Sequence, residues 1–384
     1  MRLEPPVPAD ILRAIQAPFL EGSVHVLDAP VLQPLGLLLD LAGETLRERL
    51  FVVQANGGPE SCLRTDFTVP AARVHIDSGR ASGRYFYSGH VFRVAPPGDD
   101  RAEEFPQVGI EAFEAGDPAV ADAEIAALAW RSASAGGRSD LGLMMGDIGL
   151  FSAFVDALAL GTALAVRLKR AFLSPRRLRA ELSSPADNAP ARPRGGERLA
   201  SFIAGLSEQD ATAVLEDLWT LAGIEPVGGR SAAEIVQRLV DRAALERAPR
   251  LTTAQGDLIR HFLTIADVPE AALDAAAKLA GSGRSALDAP REAWARRREV
   301  LQDQGIPQDR IRFSTAFGRA FGYYDGVLFE VRSTALGEDQ PVAAGGRYDG
   351  LPQRLGGDRA TGAVGCMVRP GRAWAGGAVA GGAS

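Results

Sequence analysis

The chain of 384 residues carries two cysteines, Cys62 and Cys366, and four histidines. Two cysteines make no disulfide framework, and with the scattered histidines they supply no zinc-site spacing, so neither stapling nor a metal is expected. Long hydrophobic runs are missing too. The most apolar stretch, VLQPLGLLLDLAG, is broken by Gln33, Pro34 and Asp40 well short of a membrane span. The start, MRLEPPVPAD, has acids and prolines in place of a basic and then apolar leader. Membrane and export readings fall away, and a reduced, cytoplasmic setting is expected. A formal charge of −6 gives no global footprint for nucleic acid. Lysine occurs only at Lys169 and Lys278 against forty arginines, a compositional bias that implies no function. No Walker-type loop and no nucleophile elbow is present.

What is there reads as a globular chain of two or three domains, 46% apolar and 23% charged. From about 50 to 113, LFVV, SCLRTDFTV, RYFYSGHVFRV and PQVGIEAF are strand-like, rich in aromatic and β-branched residues between Gly, Pro and Ser. A helix is expected next, with Asp117 as cap and Pro118 in first position. From about 165 to 304 helical apolar spacing repeats through RLASFIAGL, SEQDATAVLEDLWTLAG, SAAEIVQRLVDRAAL, TAQGDLIRHFLTIA and PEAALDAAAKLAG. A capping box joins Ser231 to Glu234, and Pro269 opens a helix. Strand character returns with IRFSTAF, YYDGVLFEVRS, PVAAGGRY and GAVGCMV.

The simplest assembly is α+β: one sheet domain from both chain ends, 1–164 and 305–375, a helical insertion over 165–304, and a fraying Gly/Ala tail over 376–384. Residues 161–200 hold nine basic residues against three acids. That reads as a solvated helix face running into a loop, with a local RNA contact as the alternative.

Period-two alternation supplies a candidate site. In PQVGIEAF, Gln107, Gly109 and Glu111 share one strand face, with Val108 and Ile110 on the other. In LRTDFTV the same parity groups Arg64, Asp66 and Thr68. Carboxylates, an amide and a hydroxyl around a glycine gap suit a small cationic or hydrogen-bonding ligand. An antiparallel sheet with one face in water shows the same alternation.

Several ordered segments resemble histidyl-tRNA synthetase and its regulatory paralogues in ATP phosphoribosyltransferase. LRTDFTVPAARV is similar to L-R-P-E-x-T…R, and YSGHVFRVAPPGDDRAEEFPQVGIEAF to the motif 2 stretch with F-R-x-E and R-x-x-x-F-x-Q-x-G-x-E. ADAEIAALA matches the D-A-E helix, GRAFGYYDGVLFE is similar to R-G-L-D-Y-Y-T-G-x-x-F-E, and AAGGRYDGL repeats A-G-G-R-Y-D-G-L unbroken. The resemblance covers about 20–158 and 310–372.

It implies a class II aminoacyl-tRNA synthetase-like antiparallel sheet flanked by helices, with a helical insertion. It also implies that the glycine-rich turn at 341–351 closes an amino-acid pocket, glycine permitting close approach and positive φ. Carried over by position, Asp66, Thr68, Gln107, Glu111, Arg319, Tyr323 and Tyr324 fall on histidine-binding positions. Arg93 and Arg372 fall on the nucleotide-binding arginines.

The surroundings of that nucleotide site differ from the family pattern. In FRVAPPGDDRAEEF, Arg93 and Arg101 stand against Asp99, Asp100, Glu103 and Glu104, a net −2 where the family is positive. At about 5 Å and an effective dielectric of about 20, each acid facing a phosphate costs on the order of 3 kcal/mol, so a nucleotide is expected to be repelled. The family's G-L-E-R becomes Arg369, Pro370, Gly371 and Arg372, and only twelve residues follow Arg372, too few for the family's anticodon-binding domain.

The expectation is therefore a non-catalytic regulatory subunit of a short-form ATP phosphoribosyltransferase, required for activity and histidine feedback in the first step of histidine biosynthesis. It would work with a separate catalytic subunit, self-associate as a synthetase-like dimer, take histidine as effector and need no cofactor or metal. The alternative is a truncated synthetase-like enzyme that forms histidyl-adenylate or aminoacylates a non-standard acceptor.

Overall fold

The computed structural model describes residues 2–183, 205–222, 250–318, 323–357 and 361–376, save 43, 97, 100 and 115, together with 202, 232 and 236. The chain divides into two compact units, Met1–Phe154 with Phe262–Ser384, and Val155–His261.

The first unit is built on a nine-stranded sheet. In chain order the strands of this unit are β1 (His25–Val26), β2 (Leu32–Pro34), β3 (Val52–Val53), β4 (Ser61–Leu63), β5 (Gly83–Phe92), β6 (Glu104–Glu114), β7 (Leu141–Asp147), β8 (Ala266–Asp267), β9 (Ile311–Ser314), β10 (Val327–Ser333), β11 (Ala343–Arg347) and β12 (Gly362–Val368). The large sheet runs β1-β5-β6-β12-β11-β10-β7-β9-β8, and β2-β4-β3 form a small second sheet. From β5 across to β7 every pairing is antiparallel, and β1 with β5 and β7 with β9 are parallel. This is the α+β, synthetase-like architecture that the motifs imply.

The long central strands form where the sequence puts aromatic and β-branched residues, in RYFYSGHVF and EFPQVGIEAF. LRTDFTV departs from that reading. Strand β4 stops at Leu63, and a helix (Thr68–Asp77) begins at Thr68, with Asp66 Oδ1 accepting from the Thr68 amide at 3.2 Å. Pro70, inside the first turn, suits a helix start and not a paired strand. Arg64 is not on a polar floor. It is buried, with Nη1 donating to the Ala29 carbonyl at 2.5 Å and Nε to that of His90 at 2.7 Å.

The stretch 343–347 is likewise strand and not turn, bonded to β10 on one side and β12 on the other. Its glycines serve close approach alone, since none of them has a positive φ.

Asp117 caps the helix Pro118–Ser134, its carboxylate accepting from the Ala119 amide at 2.8 Å. This helix packs its alanine-rich side on β11 and β12 and also meets the helix Asp288–Asp303. Between them Asp122, 1% exposed, takes Arg297 at 2.8 Å and Arg347 at 2.7 Å. The helix Pro269–Ala280 lies against β9. Helices read from sequence as part of the 165–304 block thus pack on the sheet unit.

In the second unit, the helix Thr162–Phe172 buries Leu164, Leu168, Ala171 and Phe172, and Arg167 pairs with Glu181 and Lys169 with Asp156. Those basic residues of 161–200 therefore serve internal contacts, while Arg192, Arg194 and Arg198 lie outside the described residues, as does the Ser231–Glu234 box. The helix Glu208–Ala222 opens on a reciprocal Ser207–Asp210 cap. Among the described residues no helix is long and apolar enough to cross a membrane.

Candidate functional site

Glu111 is the centre of the candidate site. It stands on β6, 2% exposed, directly opposite Gly365 of β12 in the sheet register. Any Cβ at position 365 would come within 1.7 Å of Glu111 Oε2, so glycine there is what lets the carboxylate lie flat across the neighbouring strand. We expect Gly365→Ala to cost about 1–3 kcal/mol by overpacking, read as a lower urea midpoint at unchanged slope.

Three hydroxyls surround this carboxyl. Thr68 Oγ1 donates to Oε1 at 2.9 Å, Tyr87 OH lies 3.3 Å from the same oxygen, and Tyr348 OH donates to Oε2. Burial, augmented by the nearby charge of Asp66, pushes the Glu111 carboxyl up to about 8 against the opposing pull of those hydrogen bonds. At neutral pH the free protein therefore holds Glu111 mainly protonated, ready to ionise when a cation arrives.

Gln107 stands two pleats earlier on the same face of β6 and is 1% exposed. Among the described residues neither its Oε1 nor its Nε2 has a hydrogen-bond partner. A buried amide left so is unfavourable, and its place on the cavity wall makes it a ready contact for a ligand carrying both a donor and an acceptor.

Asp66, Thr68, Gln107, Glu111, Tyr323 and Tyr324 all line one small cavity of ≈ 40 Å³, together with Arg93. Arg319 lies outside the described residues. Tyr323 and Tyr324 pack on each other at 4.7 Å and on Tyr348 at 6.1 and 6.2 Å between ring centroids. A volume of that size holds little more than water, so an amino acid enters only if these rings move.

Periodicity alone missed Tyr87 and Tyr348. Tyr87 sits opposite Gly109 in the β5–β6 register, and its hydroxyl occupies the gap that glycine leaves, so the space over Gly109 is filled and not open. A tyrosine facing a glycine across two strands was the available signal. Tyr348 follows the double glycine of β11, and its role depends on where β11 ends.

A second cavity of ≈ 320 Å³ adjoins the first through the shared wall of Arg93, Ala344 and Met367. Arg372 lines it together with Arg93. Its wall carries Arg49, Arg93, Arg101, Arg332, Arg369 and Arg372 against Glu330, Glu338 and Asp339, so six cations face three carboxylates.

The expected repulsion by the loop acids is not what the side chains show. Arg101 Nε donates to Asp99 at 2.6 Å, Glu103 accepts from the Arg2 amide at 3.1 Å, and Glu104 is 2.7 Å from His90 Nδ1. Those three acids are absent from the cavity wall, and Asp100 lies outside the described residues. Burial and arginine crowding act there instead. Burial, helped by the Arg369 charge, pushes the Arg372 guanidinium down to about 9, and burial lowers that of Arg49, with Arg93 and Arg101 adding to it. Among the described residues no group of three or more His, Cys, Asp or Glu side chains could hold a metal ion.

Comparison with known proteins bears on this geometry. The histidyl-tRNA synthetase family model matches residues 25–220 and 211–370. An ATP phosphoribosyltransferase regulatory subunit of Mesorhizobium japonicum is 37% identical over 358 residues, which is 91% of this chain and 92% of the relative. A crystal structure from Bacillus halodurans, described as an ATP phosphoribosyltransferase regulatory subunit/histidyl-tRNA synthetase, superposes with a TM-score of 0.61 at 19% identity, covering 95% of this chain and 77% of its own. Histidyl-tRNA synthetase from Nostoc sp. superposes with a TM-score of 0.58 at 16% identity, covering 94% of this chain and 69% of its own. The last two likenesses concern the fold.

Proposed function

The chain belongs to the histidyl-tRNA synthetase family, in its branch of ATP phosphoribosyltransferase regulatory subunits, and from that premise we propose that it is the non-catalytic partner of a separate ATP phosphoribosyltransferase. The glycosyl transfer that joins ATP to phosphoribosyl pyrophosphate belongs to the catalytic subunit. This chain contributes an assembly surface, a synthetase-like dimer and a sensor for histidine.

The observation that carries the sensor is the cavity around Glu111. A carboxyl that ionises on demand, a second carboxylate at Asp66 and the unsatisfied Gln107 amide suit the ammonium and imidazole of a free amino acid. Because Tyr323 and Tyr324 line a cavity of ≈ 40 Å³, too small for an amino acid, occupied and empty states differ in packing. A ligand with unequal affinity for two such states shifts the population of the complex, and reciprocally the catalytic subunit changes the affinity for histidine, typically by about 1–3 kcal/mol.

The test is co-elution with the catalytic subunit of the same cell, followed by an assay of phosphoribosyl transfer with and without this chain. We expect activity to require the chain and to fall when L-histidine is added. A catalytic subunit that runs at full rate alone and never co-elutes overturns the reading.

The cationic wall of the second cavity favours one other reading, an enzyme that forms histidyl-adenylate. Histidine-dependent exchange of pyrophosphate into ATP separates the two, and the regulatory reading expects none.

A further inference from the structure

The first residues of the chain run beside the arginine-lined cavity. Residues 2–4 pair with the start of β6: the Glu103 and Glu104 amides donate to the Arg2 carbonyl at 2.8 and 3.1 Å, and the Glu4 amide donates to the Glu104 carbonyl at 3.0 Å. This strap delivers the Glu4 carboxylate to Arg369, whose Nη2 donates to Oε1 at 2.9 Å. The two side chains are 11% and 8% exposed. The Arg369 guanidinium also lies on the Phe105 ring, 3.7 Å from its centroid.

The contact between them is incomplete. Glu4 Oε2 and Arg369 Nε are both buried and have no hydrogen-bond partner among the described residues. A guanidinium satisfied by a well-placed oxyanion engages two donors side by side, and here only one is used. Glu4 is also a nearby negative charge that offsets the crowding of Arg369 and, together with Asp339, that of Arg372. Its position depends on Gly371, because a Cβ there would stand 3.0 Å from Glu4 Cδ and 3.1 Å from Cγ. The strap itself is lightly held, with Leu3 66% exposed.

We propose that residues 2–4 form a displaceable strap whose Glu4 acts as a built-in counter-anion, and that a phosphate-bearing anion enters the arginine cavity beside Arg372 by taking Arg369 over from it. With the strap seated the cavity is partly neutralised from within. With the strap released, Arg49, Arg93, Arg101, Arg332, Arg369 and Arg372 face the incoming anion with only Glu330, Glu338 and Asp339 as counter-charges in the wall. The regulatory reading is not needed for this, since the contest is between two anions for the same guanidinium groups.

The probe is inorganic triphosphate, titrated calorimetrically at low salt into the full chain and its variants. Glu4→Gln removes the competing charge while keeping the shape, and we expect it to bind triphosphate at least about tenfold tighter than the wild type. Gly371→Ala, which pushes the carboxylate out by steric contact, should shift affinity in the same direction. Arg369→Gln in the Glu4→Gln background should cancel the gain. If Glu4→Gln folds poorly, deletion of residues 2–4, which removes no buried apolar side chain, replaces it and must show the same gain. Equal affinity in the wild type and these Glu4 and strap variants, or no binding by any of them, overturns the proposal.

Discussion

Asp122→Ala is expected to lose about 3–5 kcal/mol of unfolding free energy, the range for removing one partner of a buried ion pair. Both carboxylate oxygens are committed: Oδ2 accepts from Arg297 Nε at 2.9 Å and Oδ1 from Arg347 Nε at 2.7 Å. The two arginines do not suffer equally. Arg347 keeps Asp349 at 2.8 Å and the Pro118 carbonyl at 3.0 Å. Arg297 is left with the Trp294 ring at 5.3 Å as its remaining partner among the described residues.

The truncated protein therefore holds a desolvated guanidinium without a counter-charge. Asp122→Asn retains the volume and one acceptor but turns an amide N–H toward a cation, so it should fall between wild type and alanine. Urea unfolding monitored by Trp fluorescence reads the difference, and a loss under about 1 kcal/mol for the alanine variant would class the triad with exposed pairs of little worth.

The triad also marks where sequence reading stops. Strands β5, β6 and β10 were legible because their aromatic and β-branched residues recur locally, and so was the Asp117 cap, set by two adjacent residues, whereas β11, AAGGR, has neither kind of residue. Alternation offered Asp66, Thr68, Gln107 and Glu111, but Tyr323 and Tyr324 joined them only through motif resemblance, because the cavity is made by segments far apart in the chain.

Parity misassigned Arg64, since the chain leaves strand geometry after Leu63 and period two no longer applies. The loop charges misled for a related reason. A count along the sequence treats Asp99, Glu103 and Glu104 as facing one space, whereas Arg101, the Arg2 amide and His90 draw them elsewhere. Glu4, a carboxylate from outside the loop that does meet one of the cavity's arginines, is separated from Arg369 by 365 positions, and no local pattern announces such a pair.

The remaining large effect concerns Glu111, where stability and ligand binding should move in opposite directions. In the unfolded chain its carboxyl ionises near 4.5, and in the folded protein near 8. Between those values the folded chain holds a proton that the unfolded chain has released, so this group lowers wild-type stability as pH rises through the window, by up to about 1.4 kcal/mol per unit. Below about 4.5 and above about 8 the slope vanishes.

Glu111→Gln does not titrate, and the rotatable hydroxyls of Thr68, Tyr87 and Tyr348 can turn to accept from its amide. Its stability advantage over wild type should therefore open above pH 4.5, widen to about pH 8 and then stay constant. L-histidine binding should respond the other way, weakening on the order of 100-fold or more for want of an anion against the ligand's ammonium or imidazole.

Wild-type binding should strengthen from pH 6.5 to 8 and release a proton, visible as a buffer-dependent heat, because the ligand must drive Glu111 to ionise. A Gln variant that is stabilised yet still binds histidine would separate the buried carboxyl from the sensor. A Gln variant that loses binding while gaining stability identifies an ionisable carboxyl kept in the buried site at a cost to the free protein's stability, which is the expected mark of a site shaped for a cation and not for packing.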